Sequence, residues 1–357
     1  MQLIELSEAM MLRFLFAACG LVFLLTPDAA SAWGFQGHRV TGSIADELLR
    51  DTNAAKQAKD ILNEGDPEGK LTLRLVGPWA DCVRSVRRKS DDVFAYEVNE
   101  EHLEFEVPCT QLKAERGRME DYAKRNWTNC QDPPSGGCHT VYHFNDVPIQ
   151  RDRFERGARG TREDDLVAAI GAAIAVLRGR PVPPPFSIKD KKEALTLLVH
   201  FVADLHQPLH VGAIYLDADG KLVDPDIAPA METLGGNAIV DQNVNLHGMW
   251  DDIPYDLGDA KTRELMAAAR AMPPSVGTIE DWPMTWASDS LQIARQAFAG
   301  LRFQLVDQPP ANPPPKPKWS VTFEDHTAYL LMADIIKRRQ LAKGGAHLAE
   351  ILKTIWP

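Results

Sequence analysis

The segment His200-Phe201-Val202-Ala203-Asp204-Leu205-His206-Gln207-Pro208-Leu209-His210 limits what this chain can fold into more than any other stretch. It continues a helical apolar pattern through Leu195, Leu198, Val199 and Val202, so His200 and Asp204 point from one helix face. Pro208 ends that helix because its ring removes a donor and clashes with the preceding turn. His210 then approaches the same pocket from another direction. A second block, His247-Gly248-Met249-Trp250-Asp251, repeats the His-x-x-x-Asp spacing. A lone pair of this kind is more often a hydrogen bond on a helix surface. Two pairs, with His210 beyond the break, move the balance toward a metal, and imidazole nitrogen with carboxylate oxygen suits zinc.

Composition sets the frame for such a site. The 357 residues suit a single large domain, and 45% hydrophobic with 25% charged residues excludes whole-chain disorder, collagen and coiled coil. A net charge of -11 gives no global attraction for nucleic acid or anionic membrane. A nucleic-acid role needs a local cationic device, and bound metal ions are such a device.

The N-terminus carries the one strongly apolar run, Leu12 to Leu25, followed by Ala30-Ser31-Ala32. That run has the length of a signal-peptide core and is short for a membrane span of about 20 residues. The expectation is a signal peptide over residues 1–32, a mature chain over 33–357, export to the periplasm or beyond, and no membrane anchor afterwards. Cleavage also removes Cys19 and leaves Cys82, Cys109, Cys130 and Cys138. An even count in an exported chain favours disulfides. Cys130 with Cys138 is the preferred pair, which leaves Cys82 with Cys109; no CxxC spacing supports a cysteine-zinc site.

Helical spacing recurs at Val40, Ile44 and Leu48, at Leu166, Ile170, Ile174 and Leu177, and at Tyr329, Met332, Ala333 and Ile336. A separate last helix is expected after Gly344-Gly345. Strand candidates are Leu71 to Leu75 and Glu104 to Val107. Pro181 to Pro185 separates two helices, and Gln308 to Lys318 is an extended or disordered surface segment. The fold class is mainly α: one multi-helix domain with long loops and few short strands.

Trp33-Gly34-Phe35-Gln36-Gly37-His38 begins at the expected cleavage point. A freed α-amino group has a pKa of about 7.7–8.0 and so can ligate a metal, with its own carbonyl oxygen and His38 completing the set. Taken alone, Trp33 reads equally as a hydrophobic plug and His38 as a helix-start residue.

With these blocks in order, the chain resembles the single-strand-specific zinc nucleases of the S-one/P-one type. The resemblance rests on Trp33-Gly34 with Gly37-His38, Trp79-Ala80-Asp81, His143-Phe144, His200 to His210, Gly235-Gly236-Asn237, and Asn245-Leu246-His247 through Trp250-Asp251. It implies the helical fold of the phospholipase C/nuclease type and three zinc ions. Asp81, His143, His200 and Asp204 would hold the first zinc, and His210, His247 and Asp251 the second. Trp33 and His38 would hold the third, with Asp204 bridging.

The implied reaction is endonucleolytic hydrolysis of single-stranded DNA and RNA to 5′-phosphorylated nucleotides, with accompanying 3′-nucleotidase activity. Water between two zincs would attack phosphorus in line. Asp81 would orient that water and Arg84 would offset phosphoryl charge, although Arg84 reads almost as well as a surface ion-pair partner. Phe144 would stack on a splayed base, and Asp146 and Asn237 would contact base or phosphate. No role attaches to His206 beyond packing, and His102, His139, His326 and His347 are expected to be structural or solvated. No stable protein partner is expected. Asn126-Trp127-Thr128 is a glycosylation sequon. The nearest alternative is a zinc-dependent phospholipase C, and a more distant one is an exported metal-binding protein without catalysis.

Overall fold

An apolar helix buried on every side is the axis of the molecule. In the computed structural model, Lys191–Leu205 forms this helix, and every residue from Lys192 to Leu205 is buried. Its sequence explains its place: an all-round apolar helix is stable only in a core. Asp190 begins it by accepting the Glu193 N–H at 2.9 Å. The structure describes residues 33–65, 69–98, 103–242, 244–254, 256–257, 262–306, 308 and 316–357, with the side chains of 103–105 excepted. The expected signal peptide and His102 lie outside the described residues.

The helices are α1 (Phe35–Leu48), α2 (Asn53–Leu62), α3 (Leu73–Val76), α4 (Trp79–Val83), α5 (Leu103–Thr110), α6 (Arg116–Arg125), α7 (Leu166–Leu177), α8 (Lys191–Leu205), α9 (Leu246–Asp251), α10 (Arg263–Arg270), α11 (Trp282–Ala297) and α12 (His326–Ile355). Around α8 pack α1, α2, α3, α4, α7, α11 and α12. The strands are short, as expected. The largest sheet runs Val244–Asn245, Ile239–Asp241, Trp319–Phe323, Leu301–Leu305 in spatial order. Its central pair is parallel, with Trp319 opposite Ile239. The last pair is antiparallel, with Val321 opposite Phe303. This sheet supports the start of α9 through Val244–Asn245. Most of the proline-rich stretch between its last two strands lies outside the described residues.

Three expectations need correction. Leu71 to Leu75 is not a strand: Thr72 Oγ1 accepts the Leu75 N–H, and Asp46 accepts those of Leu73 and Arg74 at 3.2 and 3.1 Å. Those caps satisfy the first helical donors and start α3. Glu104 to Val107 lies in α5, where the apparent alternation is inverted. Glu106 is buried against Tyr96 and Ser85, while Val107 is exposed. Finally, α12 does not restart at Gly344-Gly345 but runs unbroken from His326 to Ile355. The glycines serve a crossing instead. A Cβ on Gly345 would lie 2.5 Å from Ile44 of α1, so only glycine lets the two helices approach so closely.

Both expected disulfides form, Cys82–Cys109 and Cys130–Cys138. The Pro181 to Pro185 stretch connects α7 to α8 as anticipated. Among the described residues, no helix is long and apolar enough to cross a membrane. The Asn126 sequon is closed to glycosylation in this fold. Its side chain is fully buried and bonds Tyr122 O, Ser187 O and the Ser187 N–H at 3.0, 2.9 and 2.9 Å.

The α1–α12 crossing yields a direct test. Gly345→Val should lower stability by about 1–3 kcal/mol in chemical denaturation, because two packed helices must separate. A variant as stable as the parent would contradict the crossing.

Candidate metal centre

Separate elements deliver polar side chains into the space beside α8. α1 contributes His38, α4 contributes Asp81, and α8 contributes His200 and Asp204. His143 follows the 3-10 turn Cys138–Val141, and His210 ends the turn Pro208–His210 beyond the α8 break. α9 contributes His247 and Asp251. All these residues are at most 5% exposed.

Three donor groups result: His38 with Asp81 and His200; His143 with His200 and Asp204; and His210 with His247 and Asp251. Asp204 faces two ways. Its Oδ1 lies 3.3 Å from His38 Nε2, and its Oδ2 lies 3.1 Å from His143 Nδ1 and 3.2 Å from His200 Nε2. Asp81 Oδ1 is 3.7 Å from His200 Nε2, and its Oδ2 is 3.8 Å from His38 Nε2. In the third group His247 Nε2 is 3.1 Å from His210 Nε2 and 3.5 Å from Asp251 Oδ2. A tetrahedral ion with bonds of about 2.0–2.1 Å sets its donor atoms about 3.3 Å apart. The spacing of the donor atoms fits that edge.

Imidazole orientation is set from behind. The Nδ1–H groups of His200, His210 and His247 donate to the carbonyls of Gly77, His143 and Gly235 at 2.7, 2.7 and 2.8 Å. Each Nε2 lone pair therefore faces the shared space, the arrangement by which proteins prepare histidine for a metal. Gly77 must be glycine here, since a Cβ would come within 2.7 Å of the His38 carbonyl.

Several donors lack any hydrogen-bond partner: both ring nitrogens of His38, both Asp81 oxygens, Asp204 Oδ1 and Asp251 Oδ2. Buried polar atoms without partners are costly and uncommon. Burial pushes the Asp81 acid up to about 6, opposed chiefly by His200, and pushes Asp251 up to about 6, opposed chiefly by His247. It also pushes Asp204 well above the usual carboxylate range. Burial lowers all five histidines, and for His38 and His143 the neighbouring His200 lowers them further. The cluster thus holds neutral imidazoles and acids reluctant to ionise, the state that a divalent cation would resolve.

The other expected residues fall outside the three donor groups. Arg84 Nη1 is 3.9 Å from Asp81 Oδ1. Phe144 is half-buried beside His143. Asn237 donates to Leu234 O at 2.9 Å, and its Oδ1 has no partner. Burial, followed by the neighbouring Glu232 carboxyl, raises the Asp146 acid well above the ordinary range. Trp33 is fully buried, and the Gly34 N–H donates to Asp251 O at 2.9 Å, which seats the N-terminal segment against α9.

The remaining histidines stay apart. His206 bonds Val202 O and His347, and His347 stacks on Trp286 at 4.1 Å. His139 is buried beside Trp127, and His326 lies at the surface near Asp241. Sequence reasoning missed Gly77, Gln207 and Lys337, which all bond groups of the donor-bearing elements.

The family model for S1/P1 nuclease matches residues 33–357. The chain belongs to the S1/P1 nuclease family. No curated protein sequence matches the chain. Family membership makes it a metal-dependent nuclease, a phosphodiester hydrolase acting on nucleic acid, with a helical fold of the phospholipase C/nuclease type. The phospholipase reading is not favoured by this match. Among the described residues, the three His/Asp groups are where this nuclease has room and donors for metal.

Proton linkage tests the centre. In the metal-free fold near pH 5, Asp81 and Asp251 hold protons. A cation binds the carboxylate form, so loading must expel those protons, and affinity must fall as pH drops below about 6. Calorimetry in buffers of different ionisation enthalpy should find about two protons or more released near pH 5, fewer as pH rises through 6. Release independent of pH would contradict this assignment.

Proposed function

We propose that the chain is an exported, zinc-dependent endonuclease that cleaves single-stranded DNA and RNA to 5′-phosphorylated nucleotides and removes phosphate from 3′-nucleotides. One observation carries the reading: two donor groups sharing His200, with Asp204 turned toward both, adjoin a third group. Export is supported by the two disulfides, which form in oxidising compartments, and by the apolar run ending in Ala30-Ser31-Ala32.

The proposed ligands are Asp81, His143, His200 and Asp204 for one ion, His210, His247 and Asp251 for another, and Trp33 with His38 and Asp204 for the last. Bound there, zinc would supply Lewis acidity toward phosphoryl oxygens and lower the pKa of water. Asp81 would orient the attacking water and accept its proton. Arg84, adjacent to Asp81, offsets charge on the phosphoryl group. Phe144 offers a ring face to any base, which selects strands whose bases can splay out. Asn237 would contact base or phosphate from the Gly235-Gly236-Asn237 loop. Asp146 would hydrogen-bond a base edge.

The test uses protein beginning at Trp33, assayed on single-stranded DNA, duplex DNA, RNA, a 3′-nucleotide and phosphatidylcholine. Single strands should turn over faster than duplex, and phosphate should leave the 3′-nucleotide. Lipid turnover without nucleotide release would overturn the reading. One residue added before Trp33 should abolish activity, since the α-amino donor becomes an amide. Arg84→Ala should lower kcat by about 10²–10³-fold at unchanged metal content. Asp204→Ala should lose two metal equivalents by mass spectrometry, and His247→Ala chiefly one.

A further inference from the structure

Gln207 belongs to none of the donor groups, yet it is fully buried among them. It sits in the turn that follows Asp204 and precedes His210. Its backbone N–H reaches Asp204 O at 2.9 Å, and its carbonyl accepts from the His210 N–H at 3.0 Å. Its side-chain oxygen accepts the Leu209 N–H at 2.6 Å. A backbone N–H can only donate, so this contact identifies which end of the amide is oxygen. The other end, the Nε2 group, donates to Asp251 Oδ1 at 2.7 Å.

Asp251 is the one of the three acids that an amide engages, since the partner of Asp204 Oδ2 is the His143 ring at 3.1 Å. Neither Asp81 oxygen has a hydrogen-bond partner, and Asp204 Oδ1 has none. Asp251 has one oxygen engaged by an amide and the other, Oδ2, unpartnered 3.5 Å from His247 Nε2. Two further bonds secure α9 itself: the Gly34 N–H to Asp251 O at 2.9 Å, and Lys337 Nζ to Met249 O at 2.6 Å. Both act on backbone carbonyls. They fix the helix but leave the carboxylate free to turn about its terminal torsion, which is broad for aspartate.

We infer that Gln207 is the positioning residue of the His210–His247–Asp251 group: Asp251 Oδ1, 3.8 Å from His210 Nε2, is engaged by the amide, so that Oδ2 is the oxygen left to a cation. A carboxylate that ligates through one oxygen leaves more of the coordination sphere open than one that ligates through two. An ion held by two imidazoles and one carboxylate oxygen retains a position for a phosphate oxygen of the substrate, as catalytic sites require. Gln207 thereby keeps this group open to substrate, and it does so from the same turn that sets the spacing of Asp204 and His210.

The inference rests on the metal reading proposed above, and the experiment separates the two. Gln207→Met matches the side chain in length without polar atoms. Gln207→Asn keeps an amide in the turn but is one methylene too short to reach Asp251. Metal-free protein beginning at Trp33 is titrated with zinc alone, and Tm is recorded with and without the metal. In both variants one equivalent should bind about 10–100-fold more weakly while the others keep wild-type Kd. The metal-induced rise in Tm should shrink by more than the metal-free Tm falls. Wild-type protein that binds no zinc would overturn both readings. Wild-type binding with either variant taking up every equivalent at wild-type Kd, or weakening all equivalents evenly, would overturn this inference alone.

Discussion

Asp204 is a carboxylate fixed in the last turn of a helix that has no access to water, and the rest of the molecule answers that constraint. A buried carboxylate must either hold its proton or find positive charge. Here its two oxygens meet imidazoles from three elements, none of which carries charge at neutral pH. Asp81 and Asp251 enlarge the problem. A cluster of acids and neutral imidazoles with orphaned atoms is a poor device for stability alone. It becomes coherent when divalent cations supply the missing charge, and membership of a metal-dependent nuclease family is consistent with that.

The scaffold keeps this arrangement by fixing backbone where the donors need support. The Gly77, His143 and Gly235 carbonyls orient three imidazoles. The α12 helix closes the opposite side, reaching α1 through Gly345 and α9 through the buried Lys337. Cys82, bonded to Cys109, is the neighbour of Asp81 and ties α4 to α5. The donor groups are thus built on packed helices and short turns.

Legibility in the sequence followed the reach of the chemistry. The His200 to His210 block was readable because helical period, a proline stop and donor type coincide within a short span. Asp81 and His143 are isolated in the chain, and only the family resemblance joined them to it, whereas His38 is legible through its place beside the expected N-terminus. The strand expectations failed where alternation was judged without caps: Thr72 and Asp46 start α3, and buried Glu106 with exposed Val107 inverts the pattern in α5. The Gly344-Gly345 pair looked like a break because local propensity penalises glycine. Tertiary packing against Ile44 overrides that penalty. The supporting groups, Gly77, Gln207 and Lys337, carry no motif, since their roles arise only from what the fold sets beside them.

Anomalous diffraction at the zinc absorption edge, from crystals of correctly processed protein, tests the central claim most directly. Three peaks should appear inside the space bounded by His38, Asp81, His143, Asp204, His210 and Asp251, two of them flanking the Asp204 carboxylate. A map with no peak there, from crystals grown in excess zinc, would contradict the account.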